Sequence, residues 1–134
     1  MPGLTKQWSI VACCLLLASG QVFAVRPTPD AVIVFAAETD SVPDADNLTL
    51  EQLSSKAKSD PGNWINLEAY ANDLGSRELN LALAQRRIDN VSHRLAMLGI
   101  PLHRIRGISY RDQRVSDEDL PMRRVEIRIQ KLGL

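Results

Sequence analysis

An apolar side chain recurs every three or four residues in the second half of this chain. The spacing of four, three, four and three makes one continuous stripe over four turns of an α-helix. The members of the stripe are Ala84, Ile88, Val91, Leu95 and Leu98. Such a stripe must be buried against another apolar surface, so the helix belongs to a packed domain. Gly99 follows it and Pro101 cannot continue a helix, which predicts that the helix ends here.

Other apolar residues follow the patterns of β-strands. The run Ala31–Ala37 is continuously apolar and rich in β-branched residues, which predicts a strand buried on both faces. Alternation of apolar and polar residues predicts half-buried strands at Trp64–Tyr70 and Arg124–Gln130. A weaker alternation, interrupted by Gly107, predicts one more strand at Arg104–Tyr110.

A shorter helix is predicted between the first two strands. Thr49 and Gln52 have the Thr-x-x-Gln spacing of a capping box, and the helix should end before the turn cluster Asp60-Pro61-Gly62-Asn63. The element order is then β-α-β-α-β-β. Because each strand offers one apolar face and each helix one apolar stripe, we expect an α+β fold with the helices packed on a mixed four-stranded sheet.

The first 24 residues have the order of a secretory signal peptide. Lys6 precedes an apolar core at Trp8–Ala18, and Val22-Phe23-Ala24 supplies small or apolar residues for a cleavage site. The core is too short to cross a bilayer as a stable helix. We therefore expect a signal peptide at 1–24, and after its cleavage a periplasmic protein without a transmembrane segment.

The remaining chain is expected to hold a short extended leader at 25–30 and one domain at 31–134. Both cysteines lie inside the predicted signal peptide, so the mature domain would have no disulfide. Ile10-Val11-Ala12-Cys13 also fits a lipobox, which would make the chain a lipoprotein anchored at Cys13. We favour cleavage after Ala24, because an apolar core of only five residues would precede the lipidated cysteine and the apolar run continues past it.

Charge and composition argue against several functions. Acidic and basic residues balance at 16 each, so there is no reason to expect nucleic acid or an anionic membrane surface as a partner. The two histidines stand apart in the sequence, and no residues have metal-ligand spacing. No Ser/His/Asp set, carboxylate pair or phosphate-binding loop is apparent. We therefore predict neither an enzyme nor a bound metal or cofactor.

The segment 69–95 resembles the OmpA C-terminal domain family, which also includes the peptidoglycan-associated lipoproteins and MotB-type stator proteins. The family signature combines Gly-(His/Tyr)-Thr-Asp, a Gly-Ser pair and Asn-x-x-Leu-Ser-x-x-Arg-Ala-x-x-Val-x-x-x-Leu. The corresponding residues follow without a gap: Ala69-Tyr70-Ala71-Asn72, Gly75-Ser76, Asn80, Leu83, Ala84, Arg87, Ile88, Val91 and Leu95. Later landmarks at 99–101 and 123–127 also match, so the resemblance covers essentially the whole expected mature chain.

The resemblance implies a non-catalytic domain that binds the diaminopimelate residue of the peptidoglycan stem peptide. The family pocket uses an Asp at the end of the second strand and an Arg on the second helix, which suit the ammonium and carboxylate of that ligand. By position the Arg is Arg87, whereas Asn72 stands in place of the Asp. Asn80 matches the signature Asn, and Glu38 stands where the family often has an Asn.

The altered pocket leaves two interpretations open. Glu38 could supply the negative charge that Asn72 lacks, or it could pair internally with Arg87 and block the site. The leading function is association with peptidoglycan through this partly altered pocket. The alternative is an OmpA-like module that has lost wall binding and serves as an interaction or structural component of an envelope complex, such as a secretion or motility apparatus.

Overall fold

The computed structural model describes residues 27–73, 75–111 and 121–131. Within these ranges the elements follow the predicted order β-α-β-α-β-β. The strands are β1 (Ala31–Val34), β2 (Asn63–Ala71), β3 (Ile105–Arg111) and β4 (Arg124–Lys131), and the helices are α1 (Asn47–Lys58) and α2 (Arg77–Met97). Short 3₁₀ turns precede α1 and β3.

The four strands form one mixed sheet in the spatial order β1-β4-β2-β3. Strand β4 lies antiparallel to both of its neighbours, whereas β2 and β3 are parallel. Parallel neighbours need a long crossover connection, and α2 provides it here. The predicted α+β class with a mixed four-stranded sheet is confirmed.

The apolar core joins both helices to one face of the sheet. The predicted stripe of α2 is confirmed, because its first four members are buried and Leu98 packs partly buried against them. Gly99 follows in the left-handed region, with φ +97°, as a residue after a helix C-terminus often does. Core residues from the other helix and the strands are Ala31, Ile33, Leu50, Leu53, Ala57, Ile65, Leu67, Ala69, Ala71, Val125 and Ile127.

Two local predictions were wrong. Strand β1 ends at Val34 instead of Ala37, and as an edge strand it is buried on one face only, so Val34 is 43% exposed. The chain turns away at Ala36, whose carbonyl accepts hydrogen bonds from the N–H and the hydroxyl of Thr39. Helix α1 begins at Asn47, two residues before Thr49, so Thr49 is not its N-cap.

Gly107 interrupts the alternation of β3 for a packing reason. A Cβ built on this glycine would lie 2.5 Å from Cγ2 of Ile88 on α2. Contacts this short are not tolerated in a close-packed interior. Gly107 therefore allows α2 to pack directly onto β3, which keeps the helix close to the sheet.

The opposite face of the sheet carries a cluster of charged side chains. Glu126 accepts hydrogen bonds from Nε of Arg124 at 3.2 Å and from Nη1 of Arg128 at 3.1 Å. Arg128 also lies 3.5 Å from the carboxylate of Glu68. The guanidinium of Arg124 stacks over the ring of Tyr70 at 4.1 Å. We call Glu68, Arg124, Glu126 and Arg128 the charge cluster; three of its members are buried.

Asp30 connects the start of β1 to two neighbours. Its carboxylate accepts hydrogen bonds from the N–H of Ile129 and from Nζ of Lys56, both at 2.7 Å. Partial burial raises the pKa of Asp30, but these hydrogen bonds and the positive charge of Lys56 outweigh it. The pKa of Asp30 is therefore lower in the folded protein than its ordinary value.

This lowered pKa predicts an acid-dependent loss of stability. A carboxylate with a depressed folded pKa stabilises the fold above its unfolded pKa of about 3.9, and the contribution is lost as the pH falls through the lower folded pKa. We expect Asp30→Asn to lower the free energy of unfolding at neutral pH. The variant should then lose less stability than wild type between about pH 5 and pH 3. Urea unfolding at several pH values measures both, and a pH-independent difference between the two proteins would contradict the assignment.

The predicted signal peptide at 1–24, with Cys13, lies outside the described residues, and the bounds of the leader and of the domain at 31–134 stay predictions. In the three ranges that are described, no helix combines the length and the apolar character needed to cross a membrane.

Candidate functional site

Two loops meet over the middle of α2. The β1 loop, residues 35–42, follows β1, and the β2 loop, described at residues 72, 73, 75 and 76, connects β2 to α2. Arg87 on α2 contacts both loops, and its side chain is completely buried. Its neighbour Arg86 is 56% exposed. Of two adjacent arginines on one helix, only Arg87 therefore lies inside the fold.

The β1 loop surrounds one side of the Arg87 guanidinium. Nε donates to the carbonyl of Thr39 at 2.8 Å, and Nη2 donates to the carbonyl of Ala36 at 3.3 Å. The guanidinium carbon lies 5.0 Å from the centre of the Phe35 ring, within the range of a cation–π interaction. Arg87 thus holds the loop in place through its backbone carbonyls.

The β2 loop supplies the carboxylate that pairs with Arg87, and this carboxylate belongs to Asp73. Nη1 of Arg87 donates to Oδ1 at 3.2 Å, and Nη2 donates to Oδ2 at 3.1 Å. The backbone N–H of Glu38 also donates to Oδ2. Only 1% of the Asp73 side chain is exposed. A two-pronged pair of this kind compensates the burial of both charges.

Asparagines on α2 fasten both loops to the helix. Nδ2 of Asn80 donates to the backbone carbonyl of Asp73 at 3.1 Å. Nδ2 of Asn90 donates to the carbonyl of Asp40 at 2.7 Å. The Asp40 side chain forms an exposed ion pair with Arg86, at 3.1 Å. The site is therefore held by three successive turns of one helix.

Glu38 and Asn72 lie at the exposed rim of this site. Glu38 has a φ of +58°, a left-handed conformation that is uncommon for a residue other than glycine. Its N–H contacts Asp73, but among the described contacts its carboxylate does not pair with Arg87. Asp73 is thus the carboxylate that pairs with Arg87. The internal pair between Glu38 and Arg87, one of the two interpretations of the sequence, is not formed.

Sequence reasoning missed Asp73. The family pattern points to position 72, where the asparagine suggested that Arg87 had lost its carboxylate partner. The aspartate one residue further along was visible in the sequence. However, the path of the backbone after β2 decides whether residue 72 or 73 faces Arg87, and no local pattern reports that path.

The site combines the kinds of group that recognise a carboxylate or a zwitterion, and in this structure Asp73 occupies the guanidinium edge of Arg87. An arginine fork binds carboxylates, and carboxylates at the rim attract an ammonium group. Among the described residues, no cluster of His, Cys, Asp or Glu could hold a metal ion. The geometry defines a two-layer α+β domain in which the loops after the first two strands enclose an arginine–aspartate pair.

Part of the chain is similar in sequence to curated relatives. The chain is 39% identical over 66 residues to the peptidoglycan-associated lipoprotein of Brucella melitensis, a match that covers 49% of this chain and 39% of that protein. It is 39% identical over 57 residues to the peptidoglycan-associated lipoprotein of Legionella pneumophila, covering 42% of this chain and 32% of the relative. The chain thus spans less than half the length of these relatives. No family model matches it.

Solved structures share the fold over most of the chain. The peptidoglycan-associated lipoprotein of Burkholderia pseudomallei is 27% identical with a TM-score of 0.65, covering 74% of this chain and 89% of that one. The periplasmic domain of Helicobacter pylori MotB has a TM-score of 0.60 at 19% identity, covering 75% and 71% of the two chains. The OmpA-like domain of FopA1 from Francisella tularensis has a TM-score of 0.59 at 17% identity, covering 76% and 74%. The last two similarities show the fold alone.

In sequence the chain is similar to peptidoglycan-associated lipoproteins, and it has the fold shared by the solved peptidoglycan-associated lipoprotein, MotB and OmpA-like domains. The resemblance drawn from the residues 69–95 is confirmed.

Proposed function

We propose that this chain is a non-catalytic periplasmic protein that associates with peptidoglycan by binding the diaminopimelate of its stem peptides. The observation that carries the proposal is the position of Arg87, which lies between the β1 and β2 loops beside a carboxylate. The free end of diaminopimelate bears a carboxylate and an ammonium, and an arginine with nearby acidic groups matches both. The Brucella and Legionella relatives are named as peptidoglycan-associated, which supports association of this chain with peptidoglycan.

A pelleting assay with two peptidoglycans tests this function. Full-length protein, purified from the envelope of expressing cells, is incubated with peptidoglycan that contains either diaminopimelate or lysine. Lysine keeps the ammonium but lacks the carboxylate. We expect retention on the diaminopimelate form and a loss of roughly five- to thirtyfold in affinity on the lysine form, the effect of one charge-assisted pair. Equal retention on both forms, or none on either, would contradict the proposal.

The rim residues have distinct roles in this proposal. Glu38 supplies the negative charge for the ligand ammonium, which the neutral Asn72 cannot provide, and Asn80 holds the β2 loop. In the same assay Glu38→Gln should reduce retention while Arg86→Ala should leave it unchanged. If wild type is not retained and Asn72→Asp alone creates retention, the natural site has lost ligand binding, and Glu38 does not supply the negative charge for the ammonium.

The internal contacts of Arg87 favour a second candidate function, a structural role without peptidoglycan binding. The guanidinium of Arg87 already contacts acceptors in both loops, and Asn72 carries no charge. In this case the domain would serve as a structural part of an envelope complex. Failure of wild type to pellet with either peptidoglycan, together with cross-linking of the intact chain to one envelope assembly, would establish this function in place of the first.

Retention in the envelope also depends on the N-terminus. The relatives are named lipoproteins, so lipid attachment at Cys13 stands beside cleavage after Ala24. The mass of the protein purified from cells distinguishes a lipidated chain that begins at Cys13 from an unmodified chain that begins at Val25.

A further inference from the structure

The carboxylate of Asp73 has no free oxygen. Oδ1 accepts a hydrogen bond from Nη1 of Arg87, while Oδ2 accepts one from Nη2 and another from the N–H of Glu38. The side chain is almost fully buried. Asp73 therefore offers nothing to a ligand in this arrangement.

The guanidinium of Arg87 is equally occupied. Of its five N–H donors, four make the hydrogen bonds described above, two to Asp73 and two to the carbonyls of Ala36 and Thr39. The edge formed by Nη1 and Nη2, which a carboxylate takes in a two-pronged pair, is the edge that Asp73 fills. A ligand carboxylate and Asp73 cannot both bind there.

We infer that Asp73 is an internal substitute for the ligand carboxylate, so that Arg87 accepts an external carboxylate only when the Asp73 side chain leaves. The residue that controls binding is then Asp73 and not position 72. The nature of the ligand rests on the proposed function, whereas the competition for Arg87 does not.

The β2 loop allows this exchange without unfolding the site. The backbone of Asp73 is held separately, because its carbonyl accepts a hydrogen bond from Asn80. Rotation of the side chain alone can therefore release the guanidinium edge. The exchange also conserves charge, since one carboxylate replaces another beside a buried cation, and Arg87 has a counter-charge both before and after it.

Chemical rescue of Asp73→Ala with acetate tests the inference. The variant creates a space beside Arg87 that a small carboxylate can enter. Acetate should therefore give a saturable rise in Tm of about 4 °C or more, compared with the same concentration of chloride. A rise of this size is expected when a ligand binds the folded state of a domain of ~100 residues. Wild type should show no such rise. Asp40→Ala is the matched control, because it removes a carboxylate from the exposed Arg86, and acetate should not stabilise it.

One further variant and a second readout keep the test decisive. Asp73→Asn retains an isosteric acceptor in the same place, so acetate should not stabilise it. If Asp73→Ala does not fold in chloride, the readout is its recovery from urea, which acetate should increase. The same acetate response in Asp73→Ala, wild type and Asp40→Ala, or no recovery with acetate, would overturn the inference.

The pelleting assay separates this inference from the proposed function. If Asp73 competes with the ligand, Asp73→Ala should be retained on diaminopimelate peptidoglycan several-fold more than wild type. If wild type is retained and the variant is not, Asp73 reads the ligand directly, so the inference fails and the function stands. If acetate stabilises the variant but neither protein is retained, Arg87 is a carboxylate site as inferred and the proposed function fails.

Discussion

Arg87→Met should lower the free energy of unfolding by about 3–5 kcal/mol, the cost of leaving one partner of a buried ion pair without the other. The variant leaves the Asp73 carboxylate with the N–H of Glu38 as its remaining described donor. It also removes the arginine donor from the carbonyl of Thr39 and from that of Ala36, which keeps its hydrogen bonds from Thr39. Urea unfolding followed by circular dichroism measures the change.

The neighbouring arginine provides the control. Arg86→Met removes an exposed ion pair with Asp40 and should change the free energy of unfolding by no more than about 0.5 kcal/mol. The double variant Asp73→Asn with Arg87→Met should cost less than the sum of the two single variants, because neither partner is then left as an isolated buried charge. A loss below about 1 kcal/mol for Arg87→Met would contradict a buried pair.

Glu126→Gln should cost about 3 kcal/mol, since it removes the negative charge that lies between two arginines of the charge cluster. Arg124 is buried and takes its described ion pair from Glu126, whereas Arg128 keeps a second carboxylate, that of Glu68, at 3.5 Å. The larger penalty should therefore arise at Arg124. The free energy of unfolding in urea is again the measured quantity.

A double-mutant cycle shows whether the loss comes from the pair. Adding Arg124→Met to Glu126→Gln should recover part of the stability, because the uncompensated cation is removed and Met fills a similar volume. Lys131→Met is the surface comparison: its ion pair with Asp60, at 3.0 Å, is largely exposed, and its loss should cost no more than about 0.5 kcal/mol. Additive effects at positions 124 and 126 would refute the pairing.

The substitutions at Arg87 and Glu126 affect opposite sides of one sheet. The charge cluster lies on the face opposite the helices and involves β2 and β4, whereas Arg87 reaches the loops from the helical side. Among the described residues, Arg87 is the one that joins these stabilising contacts to the proposed recognition of a ligand. A ligand carboxylate that replaces Asp73 would supply the same counter-charge, so binding should not destabilise the domain.

Local sequence patterns predicted much of the fold. The apolar period of α2 and the alternation in β2 and β4 identified three elements with bounds close to those observed. Gly99 and Pro101 marked the end of α2 correctly. Such signals work because a helix or a strand must place its apolar residues on one face, and that requirement is met by residues close together in the chain.

The edge position of β1 was not predictable in this way. A short apolar run is compatible with a central strand as well as with an edge strand. The partner of β1 is β4, so pairing across almost the whole chain decides how many of its faces are covered. The same long-range arrangement brings the β1 loop over α2.

For the candidate site, too, some features follow from local sequence and others depend on contacts between distant parts of the chain. The family spacing alone selected Arg87 as the functional arginine, and it also selected position 72. Arg86 and Arg87 are the same residue type on one helix, yet one is exposed and the other buried. Asp73, not Asn72, pairs with Arg87. Helical period and motif spacing are properties of neighbouring residues, and they sufficed for most of the elements and for the family resemblance, while the ligand role of Arg87 stays a prediction. The burial of that arginine and the identity of its counter-ion arise where two loops distant in the chain converge, because the electrostatic cost of a buried charge is settled only by the groups that surround it in three dimensions.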